Sequence, residues 1–143
     1  MNIKSLSNVK NRRFLSTSKI ENFLSIKLME KIKADNDIIA VLLFGSLARN
    51  ESNRDIDICL VLNKKFTNLE MSKKRLSYVS LVSNKIDIQI FQQLPLYIRK
   101  RILKEGKILL CKDEDALYNI AFSTIKEYNL YEKAYTFYLS SVK

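Results

Sequence analysis

Residues 41–62, Val-Leu-Leu-Phe-Gly-Ser-Leu-Ala-Arg-Asn-Glu-Ser-Asn-Arg-Asp-Ile-Asp-Ile-Cys-Leu-Val-Leu, place two apolar runs around Gly45-Ser46 and an Asp55-x-Asp57 pair. Short apolar runs bounded by turn residues read as buried strands. Ile38 to Phe44 is therefore expected to be one strand and Ile56 to Leu62 a second, with Gly45 opening a tight turn into a short helical piece. Alternation along the second strand puts Asp55 and Asp57 on one face and Ile56, Ile58, Leu60 and Leu62 on the other. A chain with this stretch must build a sheet around it, one side apolar and the other carrying charge.

Carboxylates at i and i+2 of a strand have Cα atoms about 6.5 Å apart, so their side chains can share one cation. At roughly 5 Å separation and an effective dielectric near 20, they repel by about 3 kcal/mol. Alone, such a pair reads as a solvated strand end. The upstream Gly45-Ser46 changes that reading, because a strand-to-helix turn points backbone N–H groups outward toward phosphate oxygens. Glycine permits close approach of a ligand, and the serine hydroxyl adds a donor.

The chemistry left open is narrow. The chain has 143 residues, about one domain, and no histidine, which excludes His-based triads and ordinary zinc sites. Cys59 and Cys111 lie singly in apparent strands and read as small buried hydrophobes. At 47% hydrophobic the chain can bury a core. No apolar run approaches the roughly 20 residues of a membrane span, and residues 1–18 lack a compact apolar signal region, so a cytoplasmic location without membrane attachment is expected. A formal charge of +10 suits an anionic substrate or partner. The basic residues cluster at Lys4, Lys10, Arg12 and Arg13, at Lys64, Lys65, Lys73, Lys74 and Arg75, and at Arg99, Lys100, Arg101 and Lys104. Solvated helix faces, triphosphate attraction, an acidic protein partner and nucleic acid are the readings open to them.

In chain order, residues 1–18 read as a basic arm, mobile or forming a short leading helix. A helix is expected from Ile20 to about Asp35-Asn36, capped by Thr17 or Ser18 with Glu21 in the capping-box position. A second, from Thr67 to about Val82, has Leu69, Leu76 and Val79, with Met71 and Leu81, as its apolar set. Ser83-Asn84 turns into a strand from Ile86 to Phe91, where Asp87 and Gln89 share the face opposite Ile86, Ile88 and Ile90. Pro95 fits the start of a helix over Leu96 to Glu105, and Gly106 suits its left-handed end. A strand over Lys107 to Cys111 follows. Asp113 then caps a long final helix to about Ser140, with Asp115 near its N-terminus. Tyr118 and Tyr128 read there as core, whereas Tyr131, Tyr135 and Tyr138 form a stripe that a small domain cannot easily bury and are expected to dock a partner.

Phe44-Gly45-Ser46-Leu47-Ala48-Arg49, Arg54-Asp55-Ile56-Asp57-Ile58 and Lys85-Ile86-Asp87-Ile88-Gln89-Ile90 together resemble the nucleotidyltransferases of the DNA polymerase beta superfamily, and among them the minimal nucleotidyltransferase (MNT) group. The resemblance runs from Val41 to about Tyr135. It implies one α/β (α+β) nucleotidyltransferase domain over residues 1–143, a short mixed sheet flanked by helices with a long C-terminal helix. It further implies that Asp55, Asp57 and Asp87 are catalytic and hold two magnesium ions, and that Gly45, Ser46 and Arg49 bind the triphosphate of ATP. The chain departs from many relatives at Asn50 and Arg54 and in a shorter 47–54 loop, which bears on substrate fit. The resemblance also brings in that MNT proteins of this size often act as antitoxins that add AMP to a HEPN ribonuclease toxin. That implies AMP transfer to a protein hydroxyl, with a HEPN-type protein as partner. The alternatives are a catalytically silent antitoxin that acts by binding, and a transferase acting on nucleic acid or a small molecule.

Overall fold

The computed structural model describes residues 24–45 and 56–142. Its elements are α1 (Ile26–Ala34), β1 (Ile38–Phe44), β2 (Ile56–Leu62), α2 (Asn68–Val79), β3 (Ile86–Ile90), a 3-10 turn (Phe91–Gln93), α3 (Leu96–Glu105), β4 (Lys107–Cys111) and α4 (Glu114–Ser141). The strands form one mixed sheet in the order β3-β2-β1-β4. β1 runs antiparallel to β2 and to β4. β2 and β3 are parallel, which requires a crossover, and α2 supplies it.

The sheet separates two apolar clusters. Ile58, Leu60 and Leu62 pack with Leu28 and Ile32 of α1 and Tyr78 of α2. Cys59 and Val61 pack on the other face with Ile102 and Leu103 of α3 and Leu117, Ala121 and Ile125 of α4. The alternation expected of residues 56–62 is therefore present, with both faces covered over most of the strand.

Three helix readings are corrected. Ser25 is extended (φ −67°, ψ 157°) and its hydroxyl accepts from the Leu28 N–H, so α1 begins at Ile26 and no helix runs through from Ile20. Thr17, Ser18 and Glu21 lie outside the described residues. α2 presents a different face from the one expected: Leu69, Leu76 and Val79 are exposed, whereas Tyr78 is fully buried and Met71 packs on the core. Its inward side also carries Lys74, which pairs with Asp35 at 2.8 Å and Asp37 at 3.1 Å, beneath a Tyr78 hydroxyl that donates to Asp35 at 2.8 Å. Polar groups with assured partners outweigh three leucine-class side chains here. Gly106 is extended (φ −68°, ψ 159°) and not left-handed. It is needed because a Cβ there would lie 2.5 Å from the Ile102 carbonyl oxygen and 3.1 Å from that of Leu43.

Smaller differences follow the same logic. β3 ends at Ile90, and Phe91 enters the 3-10 turn with its ring buried. Cys111 is half-buried at the edge strand, whereas Cys59 is fully buried. Asp113 caps α4 as expected, accepting from the Ala116 N–H. Tyr118 is exposed and stacks on Phe122 in place of entering the core. Tyr128 is half-buried beneath the Lys100 ammonium. Every described residue of α4 from Asn129 onward is exposed. Among the described residues no helix is long and apolar enough to cross a membrane.

Candidate active site

The candidate site lies where β1 ends and β2 and β3 begin. Phe44 pairs with Asp57 across β1 and β2, and Asp57 pairs with Asp87 across β2 and β3. In-register residues of parallel strands point the same way from neighbours about 4.8 Å apart. Asp57 and Asp87 therefore stand side by side on the face opposite Ile58 and Ile88. Asp57 is half-buried, and the Asp87 side chain is 47% exposed.

Gly45 follows β1 directly and has φ +76°, a left-handed conformation that side chains disfavour. A Cβ at this position would collide with Asp57 Oδ2 and come within 3.2 Å of its Cγ. The missing side chain is thus the space in which the carboxylate sits. This couples the turn residue to the first described acid of the pair.

Asp87 is held by two groups. Gln89, two residues along the same face, donates its side-chain amide to both carboxylate oxygens at 3.2 and 3.1 Å. Arg75 of α2 reaches Oδ1 at 3.6 Å and donates Nε to the Ile88 carbonyl at 2.7 Å. Strand alternation alone places Gln89 on this face, whereas Arg75 stands in the sequence only as part of a basic run. The signal that could have found it is spacing, because Arg75 lies at i+4 from Met71 and i−3 from Tyr78 on the inward side of α2.

Oxygen donors on adjacent strands, half open to solvent, match the hard-ligand chemistry of magnesium, which keeps several waters and takes few protein ligands. Among the described residues no group of three or more metal-ligating side chains occurs. Asp55, Ser46 and Arg49 lie outside the described residues, so the structure brings together Gly45, Asp57 and Asp87 of the six expected site residues. Cys59 shares the Asp57 face but is fully buried, and burial pushes its thiol pKa up, which leaves it protonated and unsuited to nucleophilic work.

The expected docking residues lie elsewhere, on the distal half of α4. Tyr131, Tyr135 and Tyr138 are 55%, 50% and 59% exposed. The rings of Tyr131 and Tyr135 stack with centroids 6.0 Å apart. They continue at helical spacing the stripe that Leu117, Ala121 and Ile125 bury against the sheet.

Residues 26–115 match the family model described as polymerase beta, nucleotidyltransferase. A Methanocaldococcus jannaschii protein named as a putative protein adenylyltransferase is 43% identical over 74 residues, which are 50% of this chain and 55% of that protein. The match thus spans about half the length of that relative. In fold, the chain is similar to one in a crystal structure described as a toxin-antitoxin with AMP-PNP (TM-score 0.60, 21% identity, 83% of this chain and 98% of that one). It is also similar to one in a structure described as a tri-AMPylated Shewanella oneidensis HEPN toxin in complex with MNT antitoxin (TM-score 0.58, 20% identity, 89% and 98%). At these identities the structural likeness speaks to fold, and the family match covers more than half of the sequence. The chain belongs to the polymerase beta nucleotidyltransferase family.

Proposed function

We propose that this chain transfers AMP from ATP to a hydroxyl of a partner protein, in a metal-dependent reaction, as the antitoxin of a pair with a HEPN-type toxin. The observation that carries the reading is the in-register pair Asp57 and Asp87 beside the bare Cα of Gly45. Asp57 and Asp87, with Asp55, would hold two magnesium ions. When bound, these supply charge neutralisation at the phosphates and lower the pKa of the attacking hydroxyl. Gly45 and Ser46 offer backbone N–H groups, and Ser46 a hydroxyl, to the triphosphate; Arg49 adds positive charge. Asp87 takes the proton of the incoming hydroxyl as its oxygen attacks the α-phosphorus. The bond from that phosphorus to the bridging oxygen of the β-phosphate breaks, and pyrophosphate leaves.

The adenylyl group and the protein acceptor are suggested by the name of the archaeal relative, and the toxin partner by the complexes whose fold this chain shares. In the same reading, Tyr131, Tyr135 and Tyr138 form the surface that meets the partner, because they extend an apolar stripe beyond the sheet that covers its first half. Incubating the chain with labelled ATP and magnesium, with and without a HEPN-type protein, tests the proposal by mass analysis. The expected result is one or more AMP groups on the partner with wild type and none with Asp57→Asn. A partner neutralised without label would mean an antitoxin that acts by binding. Label on nucleic acid would move the chain to another substrate class.

A further inference from the structure

Among the described residues β3 is an outer strand, so one row of its backbone groups faces away from the strands that are described. The Ile56 N–H donates to the Lys85 carbonyl, and by alternation the carbonyls of Ile86, Ile88 and Ile90 point outward. Arg75 takes the Ile88 carbonyl at 2.7 Å, which fastens its guanidinium to the free edge. From there it reaches Asp87 Oδ1 at 3.6 Å, longer than a good hydrogen bond and with one-third of the Arg75 side chain open to solvent (34%). Asp57 stands on the opposite side of Asp87, on β2. The acid is thus flanked by a fixed cation outside and a second carboxylate inside, while Gln89 limits its rotation.

We infer that Arg75 is the resident counter-charge of Asp87, holding this carboxylate beside Asp57 before a divalent cation arrives and opposing that cation once it binds between the two acids. The inference rests on the metal-dependent reading of the site. Arg75 is a positioning residue on this account: it touches Asp87 and the strand edge and acts through them. Because Arg75 is anchored outside the acid pair, a metal that binds between the two acids need not displace it. Its charge then lowers metal affinity in the absence of nucleotide and so makes loading depend on phosphate oxygens arriving with the metal.

The test is Mn²⁺ binding to the nucleotide-free chain, followed by the paramagnetic signal of free ion. Arg75→Met is expected to bind Mn²⁺ about threefold more tightly than wild type, the size expected of one charge acting on a divalent ion across about 6 Å of water with salt screening. Arg75→Lys, which keeps the charge but loses the fork, should stay near wild type. Metal-free Arg75→Met should melt below wild type, and saturating Mn²⁺ should narrow that gap. Equal or weaker binding by Arg75→Met overturns the inference and leaves Arg75 a brace of the strand edge. Should Arg75→Met fail to fold, Arg75→Gln retains an amide donor for the Ile88 carbonyl and carries the same expectation. Asp57→Asn separates the two readings: wild-type binding that is absent, or that survives Asp57→Asn unchanged, sinks the metal site itself.

Discussion

Gly45→Ala probes the join between the turn and the carboxylate. A left-handed backbone costs a residue with a side chain about 1–2 kcal/mol, and Gly45 has φ +76°. The added methyl also occupies the position of Asp57 Oδ2, with Cγ only 3.2 Å away. The carboxylate must therefore leave its rotamer, at about 0.5–1.5 kcal/mol. Together these destabilise the fold by roughly 2–3 kcal/mol, which for a chain of this size lowers the melting temperature by about 6–9 °C. Displacing Asp57 by about 1 Å should also cut the proposed AMP transfer on the order of a hundredfold. Denaturant unfolding of Gly45→Ala, Asp57→Ala and the double variant isolates the steric part. In the Asp57→Ala background only the backbone cost remains, so the two substitutions should couple by about 0.5–1.5 kcal/mol. Effects that add to within about 0.3 kcal/mol would refute the reasoning, because Gly45 would then serve the turn alone.

If the proposed HEPN-type partner docks on the tyrosine stripe of α4, replacing Tyr135 and Tyr138 together with alanine should weaken its binding at least tenfold, about 1.4 kcal/mol, measured by calorimetry. Their exposure means the melting temperature of the free chain should hold; a large drop would identify the stripe as structural. The Asp35–Lys74 pair contributes to both ends of the stability profile. Burial pushes the Asp35 carboxyl up, but hydrogen bonds from Lys74 and Tyr78 outweigh it and hold its pKa below the ordinary 3.8. Its contribution is complete above 3.8 and is lost as pH falls through the depressed folded value. For Lys74, burial is outweighed by its bonds to Asp35 and Asp37, which raise it above 10.5; its contribution is complete below 10.5 and is lost as pH rises through the raised value. Asp35→Asn should flatten both limbs in pH-dependent unfolding, and an unchanged acid limb would remove Asp35 from the account.

The strands were legible because their signals are local. Ile38–Phe44, Ile56–Leu62 and Lys107–Cys111 are continuous apolar runs or end at turn residues, and their boundaries match the expected ones. The register that pairs Asp57 with Asp87 was not legible as such. It follows from parallel pairing across the α2 crossover, which no short-range pattern encodes. Gly106 shows the opposite failure: a glycine at a helix end invites a left-handed reading, yet the constraint is tertiary, the approach of the Leu43 and Ile102 carbonyls. Gly45 met both conditions at once, a left-handed turn and a close neighbour, and for that reason its importance could be seen in sequence while its contact with Asp57 could not.

α2 shows why apolar periodicity alone misjudges a crossover helix. Such a helix passes beside the outer strand, where backbone carbonyls lack strand partners, and over the start of the sheet, where the α1–β1 turn places Asp35 and Asp37. Turning Leu69, Leu76 and Val79 inward would bury more apolar surface but withdraw Arg75 from the Ile88 carbonyl and Lys74 from its two acids. A buried acceptor left without its donor costs about 1–3 kcal/mol, comparable to burying one such leucine at about 1.5–3 kcal/mol. With several polar contacts at stake, the helix orients by them, and Tyr78 supplies the apolar anchor. The same contacts change the meaning of the +10 charge. Lys74, Arg75 and Arg99 are ion-paired, and Lys112 donates to the Ile32, Lys33 and Asp35 carbonyls at the end of α1. These pairs leave the net +10 unchanged, because their acids are already counted in it, but they fix where charge can act: steering of an anion rests on the lysines and arginines that the fold leaves in solvent.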